Sequence, residues 1–108
     1  MVAITNPTMA ALAKATPLVE TAIYTSGGAT LVKQIIITNP TAVAETYSIS
    51  TVPGGGVGSL VNRIIGGAAI GPYDVATFDG FIVLELGDSL SALVTGGVVI
   101  SAYGVVSD

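Results

Sequence analysis

Val, Ile and Thr make up 37 of the 108 residues and fall in short runs broken by Gly, Pro, Asn and Asp. β-Branched side chains are stiff at χ1 and crowd a helical turn, but they pack well on a pleated surface. Fourteen Gly and five Pro supply turns between the runs. Turn signals spaced every 8–12 residues or so are the pattern of a sandwich or barrel. A chain of this length holds one domain. The reading is an all-β protein: a single antiparallel β-sandwich, jelly-roll-like, of about eight short strands.

The strands are predicted at 18–24, 30–38, 45–52, 60–65 (with a continuation at 68–70), 75–78, 81–86, 89–94 and 98–106. Within 45–52, Tyr47 and Ile49 share one face while Thr46, Ser48 and Ser50 share the other, the alternation of a half-buried strand. Asn39-Pro40 and Gly71-Pro72 turn the chain, and Asp79-Gly80 carries the signature of a two-residue hairpin between 75–78 and 81–86. Phe81 and Val83 face the core, or Ile82 and Leu84 do; periodicity leaves both sets open. Residues 1–16 differ in composition. The stretch 9–15 (MAALAKA) is the one Ala/Leu/Met-rich patch, and it reads as an N-terminal arm with one helical turn, closed by Pro17. Residues 17–108 then form the sandwich. Met9, Leu12 and Leu18 are the candidate interface residues, placed to lap a neighbouring subunit.

Charge is scarce. Three Lys/Arg and seven Asp/Glu serve a chain that is 51% hydrophobic, where an average protein of this length would carry about 27 charges. The net charge of −4 argues against binding to a phosphate backbone, which needs clustered Lys and Arg. With no His or Cys, imidazole and thiol chemistry and the common zinc sites are gone. Of the carboxylates, Asp79 and Asp88 read as turn formers and Glu85 as a solvated strand position; Asp74 lies near the first of these turns, and the spacing matches no Ca²⁺ loop. Pro53 to Ser59 (PGGGVGS) lacks the Lys-Ser/Thr of a phosphate loop, and no helix pattern follows it. Tyr24, Tyr47, Tyr73 and Tyr103 read as core or rim residues. No catalytic residue, cofactor or metal is expected, and the chain reads as a non-enzyme.

The mean hydropathy of +0.82 raises the question of a membrane. The uncharged stretch 89–107 is interrupted by Thr95-Gly96-Gly97 and dotted with Ser, which suits two strands and a turn, so no membrane span is expected. No Lys or Arg precedes Lys14, so no signal peptide is expected either. Ten charges cannot cover the outside of a small domain, whose surface is large for its volume. The exterior left apolar favours association. The chain is therefore expected to be a homo-oligomer or a subunit of a larger shell.

One resemblance adds to this reading. The features run in order: Tyr24-Thr25-Ser26-Gly27-Gly28, a strand ending Ile36-Ile37-Thr38-Asn39, a Gly-rich loop before Asn62-Arg63-Ile64-Ile65, then Gly80-Phe81-Ile82-Val83-Leu84. Leu86-Gly87-Asp88-Ser89-Leu90 and a terminal Val99-Ile100-Ser101-Ala102-Tyr103-Gly104 follow. This order resembles a group of small β-sandwich virion proteins of tailed bacteriophages, over about residues 18–106. The most specific piece is Leu84 to Leu90 (LELGDSL) with its Gly-Asp turn; Ser26 stands where that group often has Pro. The resemblance implies a capsid decoration or cement protein, commonly a homotrimer, that binds the major capsid protein and reinforces the shell. The virion would be its location, after assembly in the host cytoplasm. A tail- or fibre-associated structural protein shares nearly all these features. A surface carbohydrate-binding module is the alternative from another class.

Overall fold

The computed structural model describes residues 10–54 and 63–107. Eight strands follow one another: β1 (Ala10–Ala15), β2 (Thr21–Thr25), β3 (Ala29–Thr38), β4 (Glu45–Val52), β5 (Arg63–Ile70), β6 (Val75–Leu84), β7 (Ser89–Val94) and β8 (Val99–Ser107). They form two four-stranded antiparallel sheets, ordered β1-β8-β3-β6 and β2-β7-β4-β5. The pairings β1·β8, β2·β7, β3·β6 and β4·β5 are those of one long hairpin, folded over so that its rungs alternate between the layers. β3·β8 and β4·β7 then join the turns of the roll. That is the eight-stranded jelly roll, and the sequence-based expectation of a single β-sandwich holds.

The core lies between the sheets. Val32, Ile35, Ile37, Ile82, Leu84, Ile100 and Ala102 from the first layer meet Tyr47, Ile49, Leu90, Ala92 and Val94 from the second. Ile82 and Leu84 are therefore the inward set on β6, and Phe81 and Val83 point out. Ile36 stays half-buried, so the Ile35–Ile37 run is not buried on both faces.

Three expectations are corrected. First, the arm: Ala10–Ala15 is not a helical turn but an edge strand paired to β8, with a bulge between Ala11 and Ala13. Leu12 at that bulge is half-buried and packs against the core of its own chain. Helix propensity yields here because β8 offers an unpaired edge and the core offers Leu12 an apolar site. Met9 lies outside the described residues. Second, Asp79-Gly80 makes no hairpin. β6 runs straight through from Val75 to Leu84 along β3, and the irregularity is a bulge: Gln34 pairs with Asp79, but Val32 pairs with Ile82. Third, the predicted breaks around Gly66-Gly67 do not divide β5. Most of the predicted Gly-rich loop, 55–59, lies outside the described residues, as does 60–62 of the strand predicted next. The number eight thus survives two offsetting differences, a strand gained at β1 and two merged into β6.

Candidate functional surface

The two outer faces of the sandwich differ. On the outside of β2-β7-β4-β5, Ser48, Ser50, Ser91 and Val52 are all buried. Ser50 is the register partner of both Arg63 on β5 and Ser91 on β7. Arg63 sits on one edge strand and Glu20 just before the other, three strand spacings or roughly 14 Å apart. Their side chains nevertheless meet, Arg63 donating to Glu20 Oε1 at 3.3 Å. The pair therefore spans the sheet above Ser50 and Ser91, and Ser91 Oγ donates up to Glu20 Oε2 at 3.0 Å, while Ser48 Oγ accepts from Gly67 N at 2.8 Å. Only small side chains fit beneath it.

Among the described residues the outside of β1-β8-β3-β6 has no such cover. Phe81 is 74% and Val83 67% exposed; Val75 is exposed, and Leu31, Ile36, Val99 and Tyr103 are half-buried on the same face. Its charges are few: Lys14 on β1, Lys33 at the bulge of β3 and Asp79 on β6. Lys33 places its ammonium 5.7 Å from the centroid of the Phe81 ring, a cation–π contact that holds both side chains on the surface. Gln34 Nε2 donates to Asp79 Oδ1 at 3.1 Å. Across the sheet, one register row reads Lys14, Ser101, Ile36, Thr77, and the next reads Ala11, Tyr103, Gln34, Asp79.

A second apolar group gathers at one end of the roll, where the loops β1–β2, β3–β4, β5–β6 and β7–β8 meet. Val94 N donates to Pro17 O, Asn39 N to Asp74 O and Tyr73 N to Thr41 O, which binds these loops to one another. Leu18, Val19, Val43 and Tyr73 all project there, Leu18 60% and Tyr73 72% exposed. Tyr73 adopts a φ of +53°. It follows Pro72, and Asp74 N closes back on Gly71 O at 3.2 Å; Tyr73 thus holds the position where a type II turn calls for Gly or Asn. A left-handed conformation costs an L-residue about 1–2 kcal/mol, and strain of this kind concentrates where a side chain has a use. In the sequence Gly71-Pro72 marks the turn, but Tyr73 reads only as a core or rim residue.

The carboxylates do not converge. Asp74 accepts from Val75 N at the loop end just described, and Asp88 works at the opposite end. Among the described residues no three acidic side chains gather closely enough to hold a metal ion. A cleft of about 370 Å³ opens beside Val83, Ile64, Arg63 and Asp88. Both ionisable groups on its wall are engaged, Arg63 with Glu20 and Asp88 with two backbone amides. Asp88 Oδ1 accepts from Gly54 N and Oδ2 from Glu85 N, each at 3.0 Å. The preceding Gly87 takes a φ of +87°. The LELGDSL segment is therefore a turn in which one carboxylate ties β6–β7 to the start of the β4–β5 loop. Asp88→Ala is expected to cost about 1–2 kcal/mol, a melting point lower by roughly 5–10 °C. Asp88→Asn, which keeps one acceptor, should fall between; calorimetry checks both.

No helix among the described residues is long and apolar enough to cross a membrane. Comparison with family models, curated proteins and solved structures finds no match to this chain. Of the three residues proposed from sequence as an interface, then, Leu18 is exposed at the loop end, Leu12 is half-buried against the core, and Met9 falls outside the described residues.

Proposed function

We propose that the protein is a structural subunit of a tailed-bacteriophage virion, a capsid decoration or cement protein that binds the major capsid protein as a homo-oligomer and stabilises the shell. The observation that carries the reading is where its exposed apolar side chains lie. Among the described residues of a chain with ten charges, seven of the ten exposed large apolar side chains lie on one sheet face or at one loop end, with Ile64, Leu86 and Val106 elsewhere, and apolar patches of this kind favour contact with protein. The jelly roll supports it as a scaffold only, since capsid and lectin domains alike are built on it. The order of motifs from Tyr24 to Gly104 supplies the link to phage particles. Mechanistically, each subunit would hold the shell by burying apolar surface, worth about 25 cal/mol per Å² before association costs. A pre-formed oligomer would add multivalency.

In this reading the loop end, with Tyr73 as its anchor, meets the shell. Tyr is enriched among the residues that dominate binding energy. Particles assembled without the chain are expected to lack a surface density in cryo-electron microscopy and to release DNA at lower temperature. Added wild-type protein should restore both. Tyr73→Gly, freed of its backbone strain, should fold at least as stably yet bind the particle at least about tenfold more weakly. Particles that keep every surface density and their heat resistance without the protein would overturn the reading, and density confined to the tail would overturn its assignment to the shell.

A further inference from the structure

We infer that the open face of the β1-β8-β3-β6 sheet pairs with the same face of a second copy, about a two-fold axis running along the strands between β8 and β3. The inference deepens the reading of the chain as a self-associating subunit and rests on it.

The argument begins with area. Strands of 6 to 10 residues form this face. Four of them side by side present roughly 600 Å² before the corrugation of the side chains is counted. A stable complex buries about 800 Å² per partner, so the face is the size of a modest, reversible interface. Two antiparallel sheets stacked in this way are the packing the domain already uses internally, with side chains interdigitating across about 10 Å.

The second argument is charge. A two-fold axis along the strands returns each register row to itself with the strand order reversed, so β1 of one copy lies over β6 of the other and β8 over β3. Lys14 then stands above Thr77, with Asp79 one row, or roughly 7 Å, farther along the same strand. An extended lysine side chain covers that offset. Within one chain Lys14 and Asp79 sit on opposite edges of the sheet, and among the described residues neither forms an ion pair. The symmetry brings the opposite charges of this face together twice, once on each side, and places Ser101 over Ile36 at its centre. No like charges are opposed in these rows, and Lys33, which the axis sets level with its counterpart, leans away from it over Phe81 on β6.

An isologous contact of one face closes at two copies. The expected unit is accordingly a pair, whereas the resemblance to phage proteins implies a trimer. Sedimentation at about 100 µM should show a reversible dimer, since a Kd near 10 µM already leaves most chains paired at that concentration.

Charge reversal tests the geometry. Lys14→Glu and Asp79→Lys should each weaken pairing about tenfold, because symmetry applies every change at two contacts. Combining both substitutions in one chain should restore pairing. Mixing the Lys14→Glu protein with the Asp79→Lys protein should restore it as well, since each contact in the mixed pair again joins opposite charges. Circular dichroism confirms that each variant remains folded. Self-association unaffected by either reversal, or not rescued by mixing, overturns this face as the contact while leaving the oligomer reading in place. A protein that stays monomeric at about 100 µM overturns both.

Discussion

Gly104→Ala is expected to remove about 3 kcal/mol or more of folding stability, a large share of what a small domain has. The cause lies in the neighbouring strand. β3 carries an extra residue, Lys33, between Val32 and Gln34, whereas their partners on β8, Gly104 and Tyr103, are adjacent. The bulge pushes the β3 backbone toward β8 opposite Gly104. A Cβ built there would overlap the carbonyl oxygen of Leu31 and lie 3.0 Å from both Leu31 C and Val32 Cα. All three are main-chain atoms of a central strand, so no side-chain rotation can relieve the clash. Either the β3 bulge or the β3·β8 ladder must shift, and β3·β8 is the pairing that joins the turns of the roll. Gly27→Ala is the control, because its Cβ would meet nothing within 4 Å, and at such a site the loss of unfolded-chain entropy stabilises by about 0.4–1 kcal/mol. Urea denaturation of the pair should separate them widely. If Gly104→Ala melts within about 2 °C of the parent, the close approach of β3 and β8 is misjudged.

The same bulge explains where the sequence could and could not be read. β4 and β7 begin and end where the sequence placed them: Pro53 closes β4, and Gly87-Asp88 and Gly96-Gly97 bracket β7. Asp79-Gly80 has the chemistry of a hairpin, but that chemistry serves a bulge equally well. Which of the two forms depends on whether β3 extends far enough to pair beyond it, and no local pattern records that. Ala10–Ala15 went unread for the opposite reason. Its composition favours helix, and only the free edge of β8 and the site for Leu12 make it a strand. Ser50 and Ser91 look like solvent-facing positions, yet they lie in the register row crossed by an ion pair whose members are 43 residues apart in sequence, and Ser48 accepts from Gly67 N at 2.8 Å. Leu18 lies exposed at the loop end, and the candidate sheet surface was legible only in kind, as too little charge for the area. Its location on one sheet face depends on strand order, which the periodicity of single strands does not contain.

Asn39→Asp should be comparably damaging, and its pH dependence identifies the cause. Asn39 has no exposed surface. Its Nδ2 faces three carbonyl oxygens, those of Val43 at 2.7 Å, Gly71 at 2.9 Å and Ile70 at 3.4 Å. Its Oδ1 accepts from Thr41 N at 3.0 Å and Thr41 Oγ1 at 2.7 Å. One amide thereby ties the β3–β4 loop to the β5–β6 turn that carries Tyr73, using a donor side and an acceptor side that a carboxylate cannot reproduce. The isosteric substitution leaves the volume unchanged and turns an anionic oxygen toward three carbonyl dipoles away from water. The cost at pH 7 is expected to be about 3–5 kcal/mol. Burial and the carbonyl dipoles would both raise the introduced carboxyl's pKa in the folded state above its unfolded value. For a group with a raised folded pKa, the stabilisation is present below the unfolded pKa and lost as pH climbs through the folded one. The variant should therefore recover part of its stability relative to the parent between pH 7 and about pH 4, where the protonated carboxyl donates to a single carbonyl. Chemical denaturation of both proteins across that range measures the difference. A deficit that stays constant with pH would show that the carbonyl cage around Asn39 Nδ2 does not govern this end of the roll.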